Sequence, residues 1–298
     1  MLLSSKNKKK RGNFPLFFLA PALISVTAVL VFPIAYALGL SFFEWNLMNE
    51  ANRVFIFFKN YVSVFNDPQF WKSFLLQIGF IFIAIPIELI IGFFVSILMN
   101  RKFKGAGVLR SLLLLPVFIL PVLSGLTWSF MLQPEYGTIN YILSLLGFKQ
   151  IAWLAYPGTA YTAVILQDIW RMWPFMFIIL YAGISGMPKE FEEAATIDGA
   201  GFWQRVFYII IPYLKPTIIT AILLRTIDAL RIFSEVYVMT GGGPGNSTLL
   251  LSLYINKQAF EYFNIGYASA MSIILIVVTL ILTIILVRGN IEIDGDKA

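Results

Sequence analysis

Charged residues interrupt long apolar stretches of this sequence, and six of them form the candidate set. They are Glu88, Asp168, Arg171, Arg225, Asp228 and Arg231. An ionised side chain in hydrocarbon costs several kcal/mol, so such residues pair with one another or face a watery cavity. Spacings of three place Arg225, Asp228 and Arg231 along one broad helix face. The set predicts either an ion-pair network that holds helices together or a polar wall along a pathway.

Other kinds of chemistry are excluded by residues that the sequence lacks. Cys and His are both absent, which rules out disulfide bonds, thiol or imidazole catalysis and the usual zinc sites. A P-loop ends in Gly-Lys-Ser/Thr, whereas the glycine-rich run 241–248 carries Asn246 in place of the lysine. We therefore expect no catalytic residue, no bound metal and no cofactor on this chain, and a polytopic membrane enzyme is a weak alternative.

The elements that must position these charges are membrane helices. Of the 298 residues, 59% are hydrophobic and 13% charged, which is not the composition of a soluble domain. A span needs about 20 apolar residues, and the first run is too long for a signal peptide, whose apolar core is roughly 7–15 residues. The predicted fold is all-α and polytopic, with six spans at 14–43, 74–99, 109–132, 159–184, 209–240 and 265–287.

The basic residues predict which loops face the cytoplasm, where Lys and Arg accumulate. Five of them precede the first span, and more lie after the second, fourth and sixth spans. The predicted organisation is a cytoplasmic basic N-terminus (1–13), a transmembrane domain (14–287) with a cytoplasmic loop at 186–208, and a cytoplasmic tail (288–298). This topology explains the net charge of +6, and no nucleic-acid module is visible.

A polar segment between the fourth and fifth spans is predicted to be a docking helix. Pro188 suits the first turn, and the glutamates that follow favour a helix N-terminus. Small alanine side chains then allow another protein to approach closely, and Gly199 suits the residue that ends a short helix. On composition alone, an ordinary amphipathic helix at the membrane surface is the alternative.

The spacing in this segment resembles the EAA signature of ABC transporter permeases. Glu-Ala-Ala at 193–195 is followed after three residues by Gly199, after nine more by Ile209, and then by Ile211 and Pro212. Ile211 stands where that family usually has Leu. The resemblance extends over nearly the whole chain and is to the carbohydrate-uptake branch, of the maltose/glycerol-3-phosphate type, through Asp198-Gly199-Ala200, Phe207, Pro212 and Pro216.

The resemblance implies the permease subunit of a binding-protein-dependent, ATP-driven importer in the cytoplasmic (inner) membrane of a prokaryote. It implies a heterodimer with a second, similar permease, two ABC ATPase subunits that bind ATP and Mg, an extracytoplasmic solute-binding protein, and lipid around the helices. The loop Gly241, Gly242, Gly243 and Pro244 resembles the loop that faces the binding protein. The residues implied in coupling to the ATPase are Glu192, Glu193, Ala194, Ala195, Asp198, Gly199 and Ala200.

The implied substrate is a sugar or oligosaccharide, whose hydroxyl groups a polar wall would bind. Arg225 and Arg231 equally suit a phosphate, so glycerol 3-phosphate or a related phosphorylated polyol stays open. An ion-coupled secondary transporter is the alternative from another class, but the EAA match and the lack of an evident repeat count against it. The candidates for the substrate path are Arg225, Asp228, Arg231, Glu88, Asp168 and Trp173.

Overall fold

A computed structural model describes residues 14–49, 53–101 and 103–295. The predicted all-α class is confirmed apart from two two-residue strands, β1 (Phe43–Glu44) and β2 (Val54–Phe55), which pair antiparallel. The predicted basic N-terminus (1–13) lies outside the described residues. The first helices are α1 (Phe14–Val26), α2 (Phe32–Leu40), α3 (Lys59–Phe65) and α4 (Pro68–Met99).

A π-helical turn, Thr27–Val31, joins α1 to α2 near the start of the chain, and a 3-10 turn, Leu47–Asn49, follows β1.

The middle of the chain consists of four short helices and one long helix. The helices after α4 are α5 (Ala106–Leu113), α6 (Leu115–Phe118), α7 (Pro121–Met131), α8 (Thr138–Leu145) and α9 (Pro157–Ser185).

The last third contains the polar segment and two more long helices. A second π-helical turn, Val206–Ile210, precedes α12. The helices are α10 (Lys189–Ile197), α11 (Phe202–Arg205), α12 (Ile211–Ala229), α13 (Ser234–Met239), α14 (Leu251–Phe260) and α15 (Ile265–Gly295).

Five helical stretches of the described chain are long and apolar enough to cross a membrane. They are Ala20–Leu40, Pro68–Met99, Pro157–Ser185, Phe202–Ala229 and Ile265–Arg288. None of the residues in the most apolar part of the first stretch is buried in the protein. Its side chains are therefore available to lipid or to another subunit.

The predicted span 109–132 is wrong as a single continuous helix. It forms α5, α6 and α7, and Leu120 before Pro121 is extended, with φ −56° and ψ 134°. Proline lacks the N–H that a helix interior needs and excludes the helical conformation for the residue before it. The predicted span 209–240 is likewise interrupted, because α12 ends at Ala229 and α13 begins at Ser234.

α4 and α9 pack side by side at the centre of the protein. They run parallel, since Tyr161 near the start of α9 donates to the Leu76 carbonyl near the start of α4 at 2.7 Å, while Ser185 at the end of α9 donates to Asn100 at 3.4 Å. Midway, Gly92 permits close contact. A Cβ there would lie 2.7 Å from the Cβ of Met176.

Asp67 links the N-terminal end of α4 to α14 and α15. Its Oδ1 accepts from the Gln69 N–H at 2.8 Å, which caps α4. Its Oδ2 accepts from the hydroxyls of Tyr254 on α14, at 2.6 Å, and Tyr267 on α15, at 2.7 Å. Burial, together with the Asp67 hydrogen bond, raises the pKa of the Tyr254 hydroxyl. This end of the bundle is therefore held by one carboxylate.

Candidate functional site

Arg225 on α12 is the centre of a buried ion-pair network. Its side chain is fully buried. Nε donates to Oε2 of Glu88 at 2.8 Å, and Nη2 donates to Oε1 of the same carboxylate at 3.0 Å. Glu88 lies on α4, so this bidentate ion pair joins α4 to α12. A planar guanidinium and a carboxylate bound in this way form a strong, directional pair.

Two further carboxylates complete the shell of Arg225. Asp168 on α9 accepts from Nη2, and Asp228, one turn further along α12, accepts from Nη1 at 3.2 Å. The side chain of Asp168 is fully buried, whereas that of Asp228 is 49% exposed. Three helices are thus held by one guanidinium, and only Asp228 of the three carboxylates is open to a molecule outside the network.

Arg171 extends the network to α13. Its Nη2 lies 2.7 Å from Oε1 of Glu235 and 3.9 Å from Oδ1 of Asp168. Glu235 is absent from the charges predicted above, although it falls within the predicted span 209–240 and is an acidic residue in an apolar run. A complete count of charges in that run identifies it from sequence. A Cβ on Gly125 of α7 would approach the Glu235 carbonyl oxygen to 2.9 Å, so α7 and α13 pack closely beside this pair.

Arg231 and Trp173 are not brought into this network. Arg231 follows the end of α12, and its N–H donates to the Asp228 carbonyl at 3.0 Å. Its side chain is exposed and forms no ion pair with the described residues. The prediction of one helix face carrying Arg225, Asp228 and Arg231 is therefore wrong for Arg231, because the helix ends two residues before it. Trp173 is half-buried, with its ring 6.3 Å from that of Phe177.

The polar segment forms α10, and Gly199 ends it in the predicted way. Gly199 has φ +71°. The Gly199 N–H donates to the Thr196 carbonyl at 3.2 Å, and the Ala200 N–H donates to the Ala195 carbonyl at 2.9 Å. These two bonds are those of a Schellman motif, which needs a left-handed residue where Gly199 stands. Pro188 lies immediately before the first helical residue.

α10 presents most of its predicted coupling residues outwards. Glu193, Ala194, Asp198 and Gly199 are exposed, and Ala200 is half-buried. Ala195 is 5% exposed and packs inwards. Glu192 belongs to α10, but its side chain lies outside the described part of the chain.

Aromatic contacts fix α10 against the start of α12. The ring of Phe191 lies 6.2 Å from that of Tyr213, and the Tyr213 hydroxyl donates to the Gly186 carbonyl at 3.2 Å. Ile197, at the other end of α10, is 86% exposed. Ile197 thus adds exposed apolar surface to the small exposed residues of α10.

The glycine-rich loop forms a compact turn after α13. Gly241 and Gly242 have φ +57° and +92°. The Thr248 hydroxyl donates to the Gly243 carbonyl at 2.8 Å, which closes the turn over Pro244. The loop is held against α4, because Lys72 donates to the Gly245 carbonyl at 3.2 Å and Asn246 donates to Gln69 at 3.2 Å. The predicted tight reversal is confirmed.

The glycine-rich loop and α10 lie at opposite ends of α4. The loop contacts its first residues, while Asn100, just past its end, bonds to Ser185 near the start of the polar segment. The 32 residues of α4 span roughly 48 Å. Glu88 lies eleven residues before the last residue of α4, which is about 17 Å from the end near α10. The ion-pair network thus lies between the two surfaces.

Known proteins match this chain in sequence and in fold. The profile of the family described as "Binding-protein-dependent transport system inner membrane component" matches residues 61–288. Two solved structures of bacterial alginate ABC transporters share the fold. They have TM-scores of 0.79 and 0.80 at 20% and 22% identity, and each covers more than 90% of both chains.

Two relatives are similar over nearly their full length. The trehalose/maltose transport system permease protein MalF of Thermococcus litoralis is 36% identical over 289 residues, covering 96% of each chain. The sulfoquinovosyl glycerol transport system permease protein SmoG of Agrobacterium fabrum is 36% identical over 270 residues, covering 91% of this chain and 88% of its own. These matches show that the chain belongs to the family of binding-protein-dependent transport system inner membrane components.

Proposed function

We propose that this chain is a permease subunit of an ATP-driven ABC importer that carries a sugar or oligosaccharide across the cytoplasmic membrane of a prokaryote by alternating access. The observation that carries the proposal is α10. Its exposed Glu193, Ala194 and Gly199 match the family's coupling sequence, and it lies at the opposite end of α4 from the glycine-rich loop. Relatives named for trehalose/maltose and sulfoquinovosyl glycerol transport support a carbohydrate substrate.

The importer has several further subunits. Each chain carries one EAA segment, so two permease chains are needed to engage two ATPases. The second permease is a different, homologous chain, and an extracytoplasmic solute-binding protein delivers the sugar. ATP and Mg are bound by the ATPases, and no residue of this chain performs bond chemistry.

The chain crosses the membrane six times with both termini in the cytoplasm. Five crossings use the long helices, and the broken segment α5 to α7 makes the sixth. This count places α10 in the cytoplasm and the loop 241–244 outside, as the distribution of Lys and Arg favours. The non-helical breaks in that crossing are tolerated where they are covered by protein or line a cavity.

Closure of the ATPase dimer moves α10, and the contact of Phe191 with Tyr213 passes that movement to α12. Arg225 links α12 to α4 and α9, so the helices rock together and open the path outwards. ATP hydrolysis then restores the inward-facing state.

The substrate path uses the members of the predicted set that are exposed or half-buried. Asp228 accepts hydrogen bonds from sugar hydroxyls, Arg231 donates to them, and Trp173 supplies an aromatic face. The fully buried members of the set support the lining of the path and do not contact the sugar. The polar groups of Glu88, Asp168 and Arg225 are already paired with one another. Arg225 is paired with three carboxylates. Of the two arginines that suit a phosphorylated substrate, Arg225 and Arg231, only Arg231 is therefore free to bind it.

Co-purification in detergent tests the proposal, with Gly199→Asp compared with Gly147→Asp. Both glycines have positive φ and open space around them, so the backbone strain is matched. We expect wild type and Gly147→Asp to retain an ATPase and a second permease, and Gly199→Asp to lose the ATPase and sugar uptake. Absence of any ATPase from gently solubilised wild type, with uptake that stops when the proton gradient is collapsed, would favour the ion-coupled alternative.

A further inference from the structure

Two adjoining cavities lie at the ends of α4 and α9, the smaller against α11 and the larger against α10. The smaller, of about 210 Å³, is lined by Arg101, Arg205 and Phe202 among others. The larger, of about 760 Å³, includes Lys189 and Glu193. Both cavities share Asn100, Ile184 and Arg205. Cationic side chains thus outnumber acidic ones among the described residues that line them.

The two arginines have no acceptor within the described chain. Arg101 extends from the end of α4 and Arg205 from the end of α11, and neither side chain forms an ion pair or hydrogen bond with a described residue. Arg110, close by in sequence, differs. Its Nε and Nη2 donate to the Met99 carbonyl at 3.2 and 2.7 Å. Arg101 and Arg205 therefore bring to one crevice two guanidinium groups that have no partner among the described residues.

An exposed aromatic strip lies next to the smaller cavity. Trp203 stacks on Phe207, with ring centroids 5.9 Å apart, and its edge faces Phe94 of α4 at 6.1 Å. All three rings are exposed, as is Leu98. Exposed aromatic residues at the end of membrane-spanning helices are typical of the boundary between headgroups and acyl chains. The charged crevice thus adjoins an apolar strip, just as the phosphate group of a phospholipid adjoins its acyl chains.

We propose that the Arg101–Arg205 cavity binds the phosphate group of an anionic phospholipid, whose acyl chains lie along Phe94, Leu98, Trp203 and Phe207. The guanidinium group matches phosphate oxygens in pairs, and Asn100 supplies a further donor from the shared wall. The aromatic strip favours a lipid over a free phosphate ion, which would use the arginines alone. The lipid thereby connects the end of α4 to α11 and to the π-helical turn 206–210.

The test is native mass spectrometry of the intact complex that contains the full chain. It is purified in detergent, exchanged into mixed phosphatidylcholine and phosphatidylglycerol, and then stripped stepwise. We expect wild type to retain one phosphatidylglycerol that Arg101→Gln/Arg205→Gln loses, with a decrease in affinity of about tenfold for each arginine. Arg288→Gln is the matched control, since it removes one exposed arginine that does not line the cavity.

Further arms separate the sources of the phosphate and guard against misfolding. Arg205→Lys keeps the charge but loses the paired geometry, and it should weaken retention without altering the elution volume of the complex. Millimolar inorganic phosphate should not displace the lipid. Displacement by phosphate would overturn the lipid as ligand. Equal phosphatidylglycerol retention in wild type and the double variant would overturn the site, whether or not the double variant also loses the ATPase.

Discussion

Arg225 and Glu88 face each other in a two-point ion pair, with Nε 2.8 Å from Oε2 and Nη2 3.0 Å from Oε1. Both side chains are fully buried and lie on different helices. A buried charge that loses its partner destabilises a protein more than the pair itself stabilises it. The pair therefore makes α4 and α12 dependent on each other.

The stability of the protein should depend on this pair. Arg225→Met should leave Glu88 and Asp168 unpaired in the interior and destabilise the protein by about 3–5 kcal/mol. Arg231→Met should change stability by less than about 0.5 kcal/mol, because its side chain is exposed and without an ion pair among the described residues. Thermal unfolding in detergent compares the two variants. Equal losses would contradict the structural role of Arg225.

Asp228 should behave differently from the buried acids. Asp228→Asn keeps the shape but weakens acceptance of hydrogen bonds from hydroxyl groups, and we expect the KM for sugar uptake to rise roughly tenfold. The unfolding temperature should stay close to that of wild type, since half of this side chain is exposed. Glu261→Gln, at the exposed end of α14, is the control. An unchanged KM would remove Asp228 from the substrate path.

Two neighbouring alanines of α10 separate docking from folding. Ala195 is buried within the chain, so Ala195→Leu should lower the unfolding temperature through overpacking. Ala194 is exposed, so Ala194→Leu should leave the temperature unchanged but reduce co-purification of the ATPase. Pull-down and thermal unfolding on the same samples give both readouts. If Ala194→Leu retained the ATPase fully, α10 would not be the docking surface.

Close packing of α4 on α9 should be sensitive to one methyl group. A Cβ at Gly92 would lie 2.7 Å from the Met176 Cβ and 2.7 Å from the Phe177 nitrogen, so Gly92→Ala should cost about 1–3 kcal/mol. Gly107→Ala meets open space on α5 and should be neutral or stabilising by up to about 1 kcal/mol. Effects of the same sign and size would show that helix propensity, not contact, governs both sites.

Alkaline pH should destabilise the end of the bundle held by Asp67. In the unfolded chain Tyr254 loses its proton near its ordinary pKa of about 10, whereas burial and the Asp67 hydrogen bond raise the pKa in the folded protein. The stabilisation is therefore complete below pH 10 and decreases as pH rises above it. Tyr254→Phe should flatten this decline, and Tyr136→Phe, which is exposed, should not. Unfolding midpoints between pH 8 and about pH 11 would measure it.

Sequence alone predicted the features that depend on local residues. The Glu-Ala-Ala spacing and Gly199 predicted a short helix with a left-handed end, and its hydrogen bonds confirm this. The predicted resemblance to ABC permeases is confirmed by the family match. Apolar content also located the long helices, but in 109–132 it concealed the breaks imposed by Pro116 and Pro121.

What sequence could not supply was the rotation of each helix about its axis. The ion pairs Arg225–Glu88 and Arg171–Glu235 join residues far apart in the chain, and which faces meet depends on packing of the whole bundle. The set of charged residues therefore did not predict which of its members pair. For Arg231, the end of α12 at Ala229 decided the outcome, and no proline or glycine marks that end.

α12 is bounded by the π-helical turn 206–210 before it and the break 230–233 after it, and its far end is tied to α4 both at Arg225 and where Gln77 donates to the Ala229 carbonyl at 2.8 Å. We expect such a rod to pivot rather than slide. Ile211 lies about 21 Å from Arg225 along the axis, so a push of about 3 Å at the near end corresponds to a tilt of about 8°. The tilt angle of α12 would then distinguish the states of the import cycle. The break 230–233 would transmit a change in that tilt to Glu235 on α13 and, through its ion pair, to Arg171 on α9.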